Sequence, residues 1–235
     1  MFAIYKREMK AYFTSPIAYI FLAVFYFITG YAFSVLNLGS ATTSLSGAFG
    51  MVFTVILILL PLLTMRLMAD EKKQKTEQCL LTAPVDLTSI VMGKFFAALS
   101  VFIMGMFIYV IYVIVLKSLA GSVAMSEVLG NMLGLLLLGA SFISIGIFVS
   151  SLTEVQIVAA IVSFVINFVL YMCDIVAGTV TWAPLSAMLY AIGFYSRYNE
   201  FTQGILNVTS VVYFLSVIFI FNFLTVRTLE KRRWS

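Results

Sequence analysis

An all-helical integral membrane protein, a bundle of about six transmembrane spans, is the fold class that three observations on this sequence predict. Hydrophobic residues make up 63% of the 235-residue chain and charged residues only 10%, and the mean hydropathy is +1.10. A soluble domain carries about a quarter charged residues, so this chain has too few to cover a water-facing surface, and lipid is the solvent that remains. The apolar residues also fall into runs of about 20, each long enough to cross a bilayer as a helix. Finally, the basic residues gather in the connections on one side of those runs. The net charge of +4 lies in short blocks, not in the stripe that would track a nucleic acid, so no nucleic-acid partner is expected.

The elements follow in chain order as a single domain over 1–235. Residues 1–16, MFAIYKREMKAYFTSP, set Lys6, Arg7 and Lys10 against Ile4, Tyr5, Met9, Tyr12 and Phe13. At 3.6 residues per turn this gives an amphipathic elbow helix lying in the headgroup layer. The first span is expected at Ile17–Leu36, followed by a charge-free Gly/Ser/Thr loop. The second, Gly50–Met68, contains Pro61, which should kink it, and ends at Arg66, placed to snorkel to the interface. The third is expected at Phe95–Val115, the fourth at Val128–Ser151, the fifth at Val155–Met172 and the sixth at Val208–Thr225. Gly130, Gly134, Gly139, Ser141, Ser144, Gly146 and Ser150 line the fourth span and allow close helix packing within the chain.

Two connections stand out. Between the second and third spans, residues 69–93 form the most polar stretch of the chain. The pattern predicts a helix from Met68 to Leu81, stopped by Pro84, with Asp86 or Thr88 capping the next helix. This leaves a charged stalk with an apolar tip, Leu80 to Val85, which either fits a groove on a soluble partner or folds back on the membrane as an ordinary loop tip. Residues 173–206 form an aromatic-rich connection with Trp182, Tyr190, Phe194, Tyr195, Tyr198 and Phe201. There Arg197 and Glu200 sit one helical turn apart and could latch short helices. Asp174 and Glu127 are expected at the same membrane boundary.

Orientation follows from the basic residues. With the N-terminus inside, only Lys117 and Arg197 of the fourteen Lys and Arg fall outside, a strong positive-inside bias. Both termini are then cytoplasmic, which requires an even number of spans. Cys79 and Cys173 lie on opposite sides in this topology, which argues against a disulfide between them. Histidine is absent, which removes the commonest metal ligand and general base. A P-loop needs G-x-x-x-x-G-K-[ST]. The Gly93-Lys94 pair is followed by Phe95, and Thr88 stands at the first glycine position, so ATP chemistry is expected in another polypeptide and no catalytic residue, metal or cofactor is expected in this one.

Residues 66–94, RLMADEKKQKTEQCLLTAPVDLTSIVMGK, resemble the signature loop of ABC-2-type transporter permeases, with matches at Arg66, Glu71, Thr76, Leu80, Leu81, Pro84, Val85, Gly93 and Lys94. Where the family's core most often has its acid, this chain has Gln78, with Glu77 beside it. The opening KREMKAYFTSPIAYIF is similar to the start of the same permeases. The closing residues 199–234 resemble the gliding-motility-associated branch, with departures at Gln203, Asn207, Thr209 and Ser210. The resemblance implies a permease that pairs with a second copy or a homologous permease and with two cytosolic ATPases holding ATP and Mg²⁺, in a bacterial cytoplasmic membrane. An extracellular or lipoprotein partner is a further possibility in that branch. It assigns ATPase docking and coupling to Glu71, Thr76, Glu77, Leu80, Leu81, Pro84 and Val85, an elbow to Lys6, Arg7 and Lys10, and an outer gate of short re-entrant helices to the region of Arg197 and Glu200.

Other classes fit less well. A membrane-embedded enzyme would need His ligands or acids clustered within a span. A secondary transporter or channel without an ATPase would be favoured by inverted repeats with broken midplane helices. A force-transmitting complex that moves no solute would share the leading family's architecture.

Overall fold

The computed structural model describes residues 1–40, 42–76, 86–120 and 124–233. Every regular element among them is helical. Helix α1 is Phe2–Thr14 and α2 is Ile17–Phe33, the latter prolonged by a π-helical turn at Ser34–Leu38. Helix α3, Ser46–Thr64, continues past Met65 as α4, Arg66–Lys73. Helix α5, Leu87–Met106, continues as α6, Ile108–Ala120. Then come α7 (Met125–Leu152), α8 (Gln156–Thr179), two short helices α9 (Ala183–Ile192) and α10 (Tyr195–Thr202), and α11 (Val208–Arg233). Six stretches are long and apolar enough to cross a membrane: Ile17–Leu38, Ser46–Lys73, Leu87–Leu119, Met125–Leu152, Gln156–Thr179 and Val208–Arg233.

The six-span bundle expected from the sequence is the observed one, but its helices overrun the apolar windows. The second span reaches Lys73, the third begins at Leu87 and the sixth reaches Arg233. Hydropathy ends where lipid ends, whereas a helical backbone continues as long as its carbonyls find donors. At 1.5 Å per residue, the 28-residue second span and the 33-residue third span measure about 42 and 50 Å, against ~30 Å of hydrocarbon. Both project from the same end of the bundle. That end, which also holds α1 and the last turns of α11, is called the charged end below, and the opposite one the aromatic end.

The fourth span, α7, is the hub. In its most apolar window 78% of residues are buried, against 17% for the fifth span and 22% for the sixth. Its glycines explain this. A Cβ added at Gly139 would meet the ring of Phe102, one at Gly146 would meet Thr64, and one at Gly134 would lie 2.5 Å from Cβ of Phe201. Small residues admit α5, α3 and α10 to close range, so the stripe packs within the chain.

One local expectation is corrected. The helix read from Met68 to Leu81 stops at Lys73. Lys75 takes a left-handed backbone, φ 56°. Around it the Gln74, Lys75 and Thr76 N–H groups donate to the Asp70, Lys72 and Glu71 carbonyls, a Schellman-type stop that satisfies the last carbonyls. Glycine is the usual residue at such a position, and its absence hid the stop. Asp86 stands at the N-cap of α5 with extended backbone but makes no side-chain capping bond. Pro61 is accommodated, buried, inside the 19-residue helix α3.

Candidate functional site

The charged end is assembled around α1. Its inner face, Ile4, Tyr5, Glu8, Met9 and Tyr12, packs against the spans, while Lys6, Arg7 and Lys10 remain exposed. Gly93 lets α1 lie directly on α5, because a Cβ there would sit 3.0 Å from Cγ2 of Ile4. The hydroxyls of Tyr5 and Ser100 are 3.0 Å apart. Buried Tyr12 donates to the Leu63 carbonyl at 2.9 Å. Arg66 reaches back from α4, donating through Nη1 to Ser15 Oγ at 2.7 Å and through Nη2 to the Ala11 carbonyl at 3.2 Å. Its guanidinium lies 5.7 Å from the Tyr12 ring centre. Arg66, placed by the sequence at the end of the second span, clasps the elbow.

At the centre is Lys94, only 1% exposed. Its ammonium stands 3.1 Å from Glu8 Oε1 and 3.0 Å from Glu71 Oε1, and it donates to the Leu67 carbonyl at 2.5 Å. Arg7 pairs with the same two carboxylates, Glu8 at 2.6 Å and Glu71. Two cations and two anions thus make a neutral quartet that joins α1, α4 and α5. Burial alone would raise the Glu8 carboxyl, but Lys94 and Arg7 more than offset it and hold it below the ordinary glutamate value. Breaking such a buried set by removing one partner leaves uncompensated charge, so the quartet is a rigid joint.

A second set of bonds ties α4 to the bundle. Ser150 Oγ accepts from the Met68 and Ala69 N–H groups, both at 3.1 Å, and donates to the Met65 carbonyl at 2.8 Å. Ser150 thereby bridges the interruption between α3 and α4. Asp70 accepts from the Gln156 side chain, and Arg232 of α11 donates to the Ser151 carbonyl at 2.6 Å.

Of the residues assigned to docking, Glu71 lies inside the quartet. Thr76 is exposed and closes the α4 stop, donating through its hydroxyl to the Glu71 carbonyl at 3.3 Å. Glu77, Leu80, Leu81, Pro84 and Val85 lie outside the described residues. The connection they belong to is therefore known here by its two bases, α4 and α5, which the Lys94–Glu71 pair joins.

At the aromatic end the chain doubles back along the fifth span. The Phe194 N–H donates to the Leu170 carbonyl at 3.3 Å, a position about 13 Å before the end of α8 at Thr179. Asp174, 6% exposed, holds this turn. Its Oδ2 accepts from the Tyr195 N–H at 2.7 Å and its Oδ1 from Ser196 Oγ at 2.6 Å, at the N-terminus of α10, where a carboxylate meets unpaired N–H groups. Gly193 is required beside it, because a Cβ there would strike the Asp174 carboxylate. Rings fill the remaining space. Phe53 of α3 packs against Phe142, Tyr195 and Tyr198 with centroids 6.0, 5.7 and 5.4 Å away, and Phe194 lies between Phe142 and Phe214 at 5.6 and 5.4 Å. Arg197 and Glu200 do not pair with each other. Arg197 lies 4.0 Å over the Tyr213 ring and donates to the Ala191 carbonyl at 3.2 Å, whereas Glu200 accepts from Ser210 Oγ at 2.6 Å.

Glu8 carries no signal in the sequence, and sequence reading does not reach the ionic and hydrogen-bonding parts that Lys94, Ser150 and Asp174 play. Lys94 was counted only as a positive-inside charge and a motif match, although a lysine directly after a glycine at the start of an apolar run was the available signal. Asp174 was placed at the interface, and its partners 21 and 22 positions away leave no local pattern. Among the described residues no group of three or more His, Cys, Asp or Glu is placed to hold a metal ion.

No curated protein matches the chain. Residues 5–174 match the family model described as ABC-2 family transporter protein. That stretch runs from the elbow through the quartet and five of the six spans to Asp174. The chain is a multi-pass member of the ABC-2 transporter family.

Proposed function

We propose that this chain is the membrane-spanning permease subunit of an ATP-binding-cassette exporter, powered by separate cytosolic ATPase subunits that hold ATP and Mg²⁺. The observation that carries the reading is the quartet. The connection over residues 77–85, where the docking residues Glu77, Leu80, Leu81, Pro84 and Val85 lie, springs from two helices that share Lys94 and Glu71. A push on that connection is passed to the elbow through Glu8 and to the fourth span through Ser150, so the whole charged end receives it. Positive-inside placement of the basic residues supports a cytoplasmic charged end with both termini inside, and the family resemblance supports a bacterial inner membrane.

The lightly buried first, fifth and sixth spans, 28%, 17% and 22% in their apolar windows, leave surface for a second copy or a homologous permease, and lipid covers what remains. The α9–α10 turn, lying alongside Leu170, acts as a re-entrant plug at the outer mouth, where Arg197 and Glu200 fix it to α11. The C-terminal resemblance to the gliding-motility-associated branch adds an extracellular or lipoprotein partner at that mouth.

The test is co-purification from the native host in mild detergent, with the original chain beside a Glu77→Ala, Leu80→Asp variant. A nucleotide-binding subunit that accompanies the first and is lost from the second supports the reading. An intact, monodisperse chain with no ATPase in either preparation sinks it and turns attention to gradient-driven transport.

A further inference from the structure

A groove of about 320 Å³ opens between the first turns of α5 and the last turns of α11, with Thr88, Met92, Phe219, Phe223, Arg227 and Glu230 among its lining residues. Its apolar wall faces the bilayer, since Phe219 is 72% and Phe223 47% exposed. The rim is ionic. Arg227 Nη1 stands 2.6 Å from Glu230 Oε2, and the guanidinium lies 4.9 Å from the Phe223 ring centre. Both partners are open, 60% and 38% exposed, so the remaining guanidinium N–H groups and the second carboxylate oxygen have capacity to spare.

The height of this rim along α11 is informative. Arg227 lies 19 residues beyond the helix start at Val208, about 28 Å at 1.5 Å per residue, close to the ~30 Å hydrocarbon thickness. With Val208, where the apolar run begins, at the far hydrocarbon boundary, the ion pair stands at headgroup level, above an apolar slot at acyl-chain level. A soluble ligand would meet only the rim.

We infer that this groove binds a phospholipid whose headgroup carries both a phosphate and a primary ammonium. The phosphate faces the Arg227 guanidinium, the ammonium donates to Glu230, and an acyl chain lies along Met92, Phe219 and Phe223. Charge complementarity selects this class. A purely anionic headgroup is attracted by Arg227 but repelled by Glu230. A quaternary ammonium has no N–H with which to bond the carboxylate. The inference concerns the bilayer around this chain and stands apart from whether an ATPase drives it.

The test uses the full-length chain, delipidated in detergent and mixed with phosphatidylethanolamine, phosphatidylcholine and phosphatidylglycerol of identical acyl chains, with retained lipid read by native mass spectrometry. Phosphatidylethanolamine is expected to be retained about 1.5- to 5-fold over either competitor, the range an exposed charge pair commands. Glu230→Gln should abolish the preference over phosphatidylcholine, and Arg227→Ala should lower retention of all three. Both side chains are exposed, so neither change should cost the fold. Met92→Trp, filling the slot, should lower retention of every headgroup alike. Equal retention of the three lipids, a preference for phosphatidylglycerol, or a phosphatidylethanolamine preference untouched by both rim variants would overturn the inference.

Discussion

At the charged end, the base of the α4–α5 connection is held by ions. Lys94 and Arg7 sit among Glu8 and Glu71, with Arg7 and Glu8 supplied by α1, Glu71 by α4 and Lys94 by α5 from the far side of the connection. At the aromatic end, the α9–α10 turn is held by rings and by one carboxylate, with Asp174 capping α10 while Phe53, Phe142 and Phe214 pack around Phe194 and its neighbours. Ring packing resists separation but tolerates sliding, because each contact is weak and weakly directional. An ionic quartet centred on a buried lysine has few satisfactory geometries and a high cost for stranding its carboxylates. The contrast fits a device whose force enters at a stiff joint and is spent at a softer one.

The largest expected effect breaks the stiff end. Lys94→Met strands two carboxylates against a single half-exposed arginine and should destabilise the protein by about 3–5 kcal/mol, read as a fall in the thermal midpoint in detergent. A small effect would mean that water already reaches the quartet. At the soft end, Asp174→Ala removes both hydrogen bonds of the cap and should cost about 1–3 kcal/mol. In a background lacking native cysteines, it should also raise the reactivity of a Ser196→Cys label with a membrane-impermeant thiol reagent. Unchanged reactivity would show that the rings alone hold the turn.

Acid should separate the two ends more gently. Glu8 is held below its ordinary value by Lys94 and Arg7, so its folded form binds protons less readily than its unfolded form. The stability it contributes is fully present above the unfolded glutamate pKa, about 4.3. It is lost as pH falls through the lower folded value. Stability measured from pH 6 downward should therefore decline in the original chain, and Glu8→Gln should lose that part of the slope. An unaltered slope in the variant would assign the acid sensitivity elsewhere.

The smallest effect concerns how the two short helices end. The α10 stop uses Gly204 at φ 75°, with the Gly204 and Ile205 N–H groups donating to the Phe201 and Glu200 carbonyls. The α4 stop repeats that pattern with Lys75 at φ 56°. A lysine there carries a left-handed penalty that glycine does not, so Lys75→Gly should stabilise the charged end by about 1 kcal/mol. A loss of stability would show that the Lys75 side chain makes a compensating contact.

How much of this was legible beforehand follows the same divide. Hydropathy runs found all six spans, because lipid imposes one requirement on every residue of a span. The charge count placed the stiff end correctly as the basic one, and the likeness at Arg66, Glu71, Gly93 and Lys94 marked its residues. What the pattern could not give was their use. Arg66 clasps the elbow, Glu71 faces inward to Lys94 and Gly93 exists to admit Ile4, relations that span from 23 to 89 positions in the chain. The Gly204 stop was written in the sequence, whereas the Lys75 stop was not, since nothing local distinguishes a lysine that ends a helix from one that continues it. Arg197 and Glu200 had the spacing of a pair, but Tyr213 and Ser210 on α11 offered each a better-placed partner.

On the proposed permease reading, force entering between α4 and α5 passes through Lys94 to the elbow and onward along the spans to the aromatic end. The most direct test labels Gln203→Cys, exposed beside the α9–α10 turn, in the complex with the proposed ATPase and without native cysteines. Labelling by an impermeant thiol reagent is compared with and without ATP. With Lys94 intact, ATP should change the labelling rate. With Lys94→Gln, the ATPase should still bind and hydrolyse ATP while the rate stays fixed. An equal ATP-dependent change in both proteins would contradict the account and place the transmission path elsewhere.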